Sequence, residues 1–148
     1  MKFDIDSFKK RYDQCKDKNR YQGVDKDIYR YYFKSSKNDL SKSQDELLSR
    51  NLFWSIVALD SSVSQFIHGI SIEKSGLRPK SRVCAENLVF AEEFLSEDEY
   101  IVIQNIRELR NKAVYDALFR DDLDSSVIKG LMGQLEDIFI KFGVENDW

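Results

Sequence analysis

An all-α fold is what this sequence predicts, and three observations predict it. The 148 residues contain one proline and six glycines, too few for the many turns of an all-β domain. Apolar residues recur at steps of three and four almost everywhere, the period of an α-helix. No turn signal flanked by alternating apolar residues marks a β-hairpin, and no strand–Gly-rich–helix pattern occurs. The expectation is one domain, residues 1–148, built as a bundle of five or six helices.

The elements follow in order. Phe8, Tyr12 and Cys15 share one face of a first helix that ends before Gly23. Val24, Ile28 and Tyr31 continue the stepping in a second helix, expected to fade in the polar stretch SSKNDLSKS. The third is the clearest: Leu52, Ile56, Leu59, Val63, Phe66 and Ile70 form a heptad-like stripe, with Phe53, Val57 and Ile67 beside it. It should stop near Gly76, in the loop EKSGLRPKSR. Cys84, Leu88, Ala91 and Leu95 mark a short fourth helix.

Ser96 followed by Glu99 is a capping box: the hydroxyl takes an amide of the first turn, and the glutamate reaches back to the Ser96 amide. A fifth helix runs from there through Val102, Ile106, Leu109 and Ala113. FRDDLDSS breaks the pattern, and Asp124 or Ser125 caps a last helix carrying Ile128, Leu131, Leu135, Ile138 and Phe142.

Composition narrows the function. No apolar run approaches the roughly 20 residues of a membrane span. The start MKFDIDSFKK holds acids and no apolar core, so no signal peptide is expected. Cys15 and Cys84 have no metal or redox spacing, and reduced thiols in a cytoplasmic protein are the expectation. Net charge is −3 but uneven: residues 1–50 hold 13 Lys/Arg against 9 Asp/Glu, and residues 51–148 hold 10 against 17. An acidic body with a basic, tyrosine-rich first third suits a nucleic acid on one side only, or an ordinary mixed surface. In RYQGVDKDIYRYYFK, cations such as Arg30 and Lys34 alternate with tyrosines. Aromatic faces stack unpaired bases and cations hold phosphates, while the plainer reading is an amphipathic helix.

Phosphate-loop, dinucleotide-binding and GxSxG motifs are absent. A single histidine, His68, excludes HExxH. Asp121, Asp122 and Asp124 lack the glycine and terminal glutamate of a calcium loop. No metal and no cofactor is expected.

One stretch carries chemistry. In RNKAVYD, residues 110–116, an arginine fork stands beside an amide with both donor and acceptor. Together they suit a phosphodiester and a ribose hydroxyl. RNA cleavage by its own 2′-hydroxyl needs positioning, charge stabilisation and proton transfer, with no protein nucleophile. The plainer reading is a solvated helix face, with Glu108 and Lys112 as an i,i+4 pair.

ELRNKAVYDALFRDDLDSSV, residues 108–127, resembles the motif helix of the HEPN family. These are small all-α domains, many of them metal-independent endoribonucleases of toxin–antitoxin and antiviral defence systems. RNLFWSIVALDSSVSQFI, residues 50–67, is similar to an earlier helix of some HEPN subfamilies, where an Ala-Leu-Asp sequence sits on the packed face. Here that is Ala58-Leu59-Asp60.

The resemblance implies that Arg110 binds the scissile phosphate and Asn111 positions the ribose or phosphate. Asp60 or Asp116 would orient the arginine, and Lys112 would add RNA affinity. It implies a homodimer with two motifs facing across one cleft, RNA as substrate, and a cognate antitoxin or defence partner protein. The departure is at Tyr115, where the family carries its histidine; Ala117 stands where some members have a tyrosine. An imidazole titrates near pH ~6.5 and a phenol near ~10, so a tyrosine donates a hydrogen bond but is a poor general base. Loss of acid–base catalysis typically removes about 10²–10⁴-fold in rate. The expectation is therefore a weakened or silent ribonuclease scaffold. The alternatives are a non-catalytic RNA-, nucleotide- or partner-binding dimer, or an unrelated helical adaptor.

Overall fold

A computed structural model describes residues 2–144. The fold is all-α, with six helices among those residues: α1 (Ile5–Asp17), α2 (Tyr29–Leu48), α3 (Leu52–Ser75), α4 (Arg82–Ala91), α5 (Glu97–Tyr115) and α6 (Ser125–Phe142). Two three-residue strands, β1 (Tyr21–Gly23) and β2 (Leu77–Pro79), pair antiparallel. The residues divide into two compact units. One runs up to Phe33 and resumes at Ser64–Tyr100; the other holds Lys34–Val63 and the described residues from Ile101 onward.

In the first unit α1 packs on α4. Phe8, Phe90 and Tyr100 lie within 5.6 Å of one another, centroid to centroid, and Phe3 closes the cluster. The Tyr21 hydroxyl donates to the Cys84 carbonyl (2.7 Å). Gly76, at φ 71°, ends α3 in the left-handed region and turns the chain into β2. Gly69 lets α2 approach α3 closely: a Cβ there would fall 2.5 Å from two ring carbons of fully buried Phe33.

In the second unit four serines join α2 to α3. Ser36 Oγ donates to the Ser62 carbonyl and Ser62 Oγ to the Ser36 carbonyl, both at 2.7 Å. Two turns away, Ser43 and Ser55 exchange the same bonds at 2.7 and 2.9 Å. All four are fully buried. The apolar stripe of α6 (Ile128, Leu131, Leu135, Ile138) is buried, as are Ile56, Leu59 and Val63 of α3.

Four expectations are corrected. The second helix does not fade in SSKNDLSKS; it runs to Leu48, because Ser36 and Ser43 bury their hydroxyls on α3 carbonyls. Phe33 and Leu40, not Tyr31, are its buried apolar residues, and Tyr31 is exposed. Cys15 and Cys84 are not free thiols but a disulfide, 69 residues apart, with Cα atoms 5.9 Å apart. The pairing comes from α1 lying on α4, so no local spacing announces it. A strand pair also occurs where none was expected, because β2 completes its bonds on a partner more than fifty residues earlier.

The capping box forms: the Ser96 amide donates to Glu99 Oε1 (3.4 Å), the Glu99 amide donates to Ser96 Oγ (3.5 Å), and the two side chains bond directly. Asp124, not Ser125, caps α6, accepting from the Ser126 amide at 2.8 Å.

Candidate functional site

Arg110 and Asn111 stand near the C-terminal end of α5, in the second unit. Their Cα–Cβ directions differ by about 100° on a regular helix. The arginine nonetheless swings across, and its Nη1 donates to Asn111 Oδ1 at 2.9 Å. Its Nε lies 3.6 Å from Oδ2 of Asp60, which α3 supplies from the same unit. The Asp60 side chain is 9% exposed and that of Arg110 33%.

This asymmetry has a physical reading. Burying a carboxylate is costly unless a cation or donor accompanies it. The carboxylate is fixed in the packed face of α3, and the guanidinium reaches it from the rim. A guanidinium has five N–H donors. Asp60 lies beside one edge and Asn111 takes a donor on another, so the planar fork is held in one orientation with part of it open to solvent. An oriented, partly exposed guanidinium is a phosphate- or carboxylate-binding group. Asn111 keeps both its N–H donors after accepting from Arg110.

The remaining residues diverge from this cluster. Tyr115 is the last residue of α5 and is 78% exposed. Asp116 accepts from the amides of Leu118 (3.1 Å) and Phe119 (3.4 Å), so its carboxylate shapes the following turn instead of the arginine. Lys112 is exposed, with Nζ 5.8 Å from the Phe119 ring centroid. Lys34 is exposed on α2. Arg30 is exposed in the first unit, its guanidinium 5.9 Å from the Tyr29 centroid.

Arg120 escaped the sequence reading. It lies in the 3₁₀ turn Phe119–Asp122, where nothing in the surrounding polar run distinguishes it. Its Nε donates to the Ala113 carbonyl (2.8 Å) and Nη2 to the Val114 carbonyl (3.3 Å). A cation there meets the negative end of the α5 dipole. The same guanidinium covers Phe53 of α3 at 4.3 Å from the ring centroid. Arg120 thus ties the chain after Tyr115 back to both site-bearing helices.

Among the described residues no group of three or more His, Cys, Asp or Glu side chains is placed to hold a metal ion. No family model, no curated protein and no solved structure matches the chain.

Proposed function

We propose that the chain is a HEPN-like, RNA-directed protein, a metal-independent endoribonuclease scaffold of the toxin or defence type whose activity is weakened or lost at Tyr115. The observation that carries the reading is the Arg110 fork, held between Asp60 and Asn111 with its side chain one-third exposed. In the proposed reaction the 2′-oxygen of RNA attacks phosphorus and the bond to the 5′-oxygen breaks. A 2′,3′-cyclic phosphate and a 5′-hydroxyl result. Arg110 would neutralise the phosphorane oxygens and Asn111 would hold the ribose or phosphate. Asp60 positions the arginine without touching RNA. Tyr115 would donate a hydrogen bond where a proton acceptor is needed.

The exposure of Tyr115 and the engagement of Asp116 with its own turn favour a second version, an RNA-, nucleotide- or partner-binding module without catalysis. Both versions include a homodimer that brings two α5 ends together, and an antitoxin or defence partner. Among the described residues no helix is long and apolar enough to cross a membrane. A cytoplasmic setting belongs to the proposal, and the disulfide pulls against it, since disulfides persist in oxidising compartments.

The test is RNA cleavage with chelator present. It compares the chain as it stands, Tyr115→His, and Arg110→Ala in the Tyr115→His background. The catalytic reading expects Tyr115→His to gain about 10²–10⁴-fold and Arg110→Ala to abolish the gain. If all three stay folded and none cleaves, but RNA binding still falls with Arg110→Ala, the binding version holds. If neither cleavage nor binding responds to Arg110, both versions fail.

A further inference from the structure

The first unit contains a cleft of about 630 Å³ between the β1–β2 ribbon and the facing helices. Ligand pockets span roughly 300–1,000 Å³, so this one has room for a single nucleotide. Its chemistry follows from the strand register. Gln22 pairs with Arg78 across the ribbon, and side chains two apart on a strand share a face. Gln22 and Arg78 therefore sit side by side on one face of the ribbon, Lys80 follows just past the end of β2, and all three line the cleft. Opposite them stand Tyr32 of α2 and Gln65 and His68 of α3.

Among the described lining residues none is acidic, although the chain as a whole is. Among the described residues Arg78 and Lys80 form no ion pair, and both are exposed. The Tyr32 and His68 rings stack, 9° from parallel with centroids 5.9 Å apart, so an aromatic pair lines this side of the cleft. His68 Nδ1 lies 2.8 Å from the Ser64 carbonyl, which can only accept. Nδ1 therefore carries the proton of a neutral ring, and Nε2 is left as an acceptor. Burial, with Arg82 and Arg78 nearby, holds the His68 pKa below the usual imidazole value, so the ring is neutral at pH 7.

We propose that this cleft is a binding site for a nucleoside 5′-monophosphate, independent of the Arg110 site. Arg78 and Lys80 take the phosphate, the Tyr32–His68 pair offers a ring face to the base, and Gln22 and Gln65 hydrogen-bond its edge or ribose. Two cations without a neighbouring acid select a dianion. An aromatic ring face with two carboxamides selects a planar heterocycle that has donors and acceptors on its edge.

His68 is the only histidine, so its ring proton resonances report on the cleft alone. The test is a titration of the whole chain with AMP, GMP, CMP and UMP, followed by those resonances and by calorimetry. Adenosine and inorganic phosphate are the controls. At least one monophosphate is expected to shift the His68 signals, and the matching nucleoside and inorganic phosphate to bind about tenfold weaker or worse. Arg78→Ala with Lys80→Ala is expected to weaken binding by about tenfold or more, and Tyr32→Leu by about tenfold. Both cations are exposed, so the double variant keeps its fold, checked by circular dichroism; Arg78→Gln with Lys80→Gln is the reserve. A 5′-phosphorylated trinucleotide set against its 5′-hydroxyl form tells whether the monophosphate is free or the end of an RNA chain. The proposal falls if no monophosphate moves the His68 signals at millimolar concentration, if binding survives removal of both cations, or if inorganic phosphate binds as tightly as the nucleotide. None of these outcomes depends on RNA cleavage or on Arg110.

Discussion

Arg110 Nε stands 3.6 Å from Asp60 Oδ2, across fifty residues of sequence and between two helices of one unit. The pair matters because its members differ in burial. Asp60 is locked in the packed face of α3, and Arg110 comes to it carrying Asn111 on its other side. An arginine anchored in this way loses less freedom when it meets an anion than a loose surface arginine does.

The pair should therefore be energetically coupled. Urea unfolding of Arg110→Ala, Asp60→Asn and the double variant is expected to give a coupling of about 0.5–3 kcal/mol. Arg110→Ala alone should cost about 1–3 kcal/mol, since it strips a cation from a buried carboxylate. Additive single effects would mean that the two side chains are neighbours and nothing more.

Gly69 predicts a reversal of sign within one protein. Gly to Ala in a helix interior ordinarily stabilises by about 0.5–1 kcal/mol. Gly130 and Gly133 of α6 have open space where a Cβ would go, and each should follow that rule. At Gly69 the new methyl would meet the Phe33 ring at 2.5 Å, and overpacking of about 1–3 kcal/mol should win. Thermal unfolding of the three alanine variants reads the signs directly. A stabilised Gly69→Ala would show that the ring shifts at no cost.

The serine seam makes a graded prediction. Ser43→Ala removes one donated hydrogen bond, yet Ser55 Oγ still finds the Ser43 carbonyl. A loss of about 1 kcal/mol is expected. Ser43→Leu restores the apolar pattern a helix reader would prefer but cannot fit at a fully buried contact, and should cost about 2–3 kcal/mol. If leucine there proves harmless by urea unfolding, α2 and α3 are not held at serine distance.

That seam also shows where the sequence is legible and where it is not. The stripes of α3 and α6 could be read because each buries aliphatic residues at helical spacing; in α5 Ile106 and Ala113 are buried as expected, but Val102 and Leu109 are half-buried and Ile103 takes the core position instead. The Ser96–Glu99 box could be read because capping is local. The Asp60–Arg110 pair was one of two pairings that the HEPN resemblance implied, Asp116 being the other acid. Ser36 and Ser43 misled because a hydroxyl counts as polar whether it faces water or a carbonyl. Cys15–Cys84, the β1–β2 ribbon and the Arg120–Phe53 contact are tertiary: each joins segments whose nearness no local spacing records. Asp116 misled in the opposite way, since its nearest backbone amides claim it before any arginine does.

The disulfide closes a loop of 69 residues between α1 and α4. Chain-entropy arguments give such a loop about 4 kcal/mol of stabilisation. Reduction, or Cys15→Ser with Cys84→Ser, is expected to lower unfolding stability by about 2–4 kcal/mol. Protein purified without reductant should show no titratable thiol until unfolded and reduced. Two free thiols in protein taken directly from cells would place it in a reducing compartment.

His68 should make stability depend on pH, in a direction that can be worked out. Burial, opposed in part by its bond to the Ser64 carbonyl and reinforced by Arg82 and Arg78, lowers its folded pKa. The unfolded chain takes up that proton near pH ~6.5, while the folded chain resists until lower pH. Between those two points the unfolded state binds more protons, so stability falls as pH falls. The histidine's contribution is complete above the unfolded value and lost as pH drops through the folded one. Carboxylates titrate lower still, so the comparison must isolate the imidazole. Urea midpoints from pH 8 down to pH 5 should fall more steeply for the native chain than for His68→Gln, where the Ser64 carbonyl, Tyr32, Arg78 and Arg82 remain but nothing titrates. Parallel profiles would mean that the ring is as free to charge in the folded protein as in the unfolded one, and that its place beside Tyr32 is wetter than its burial implies.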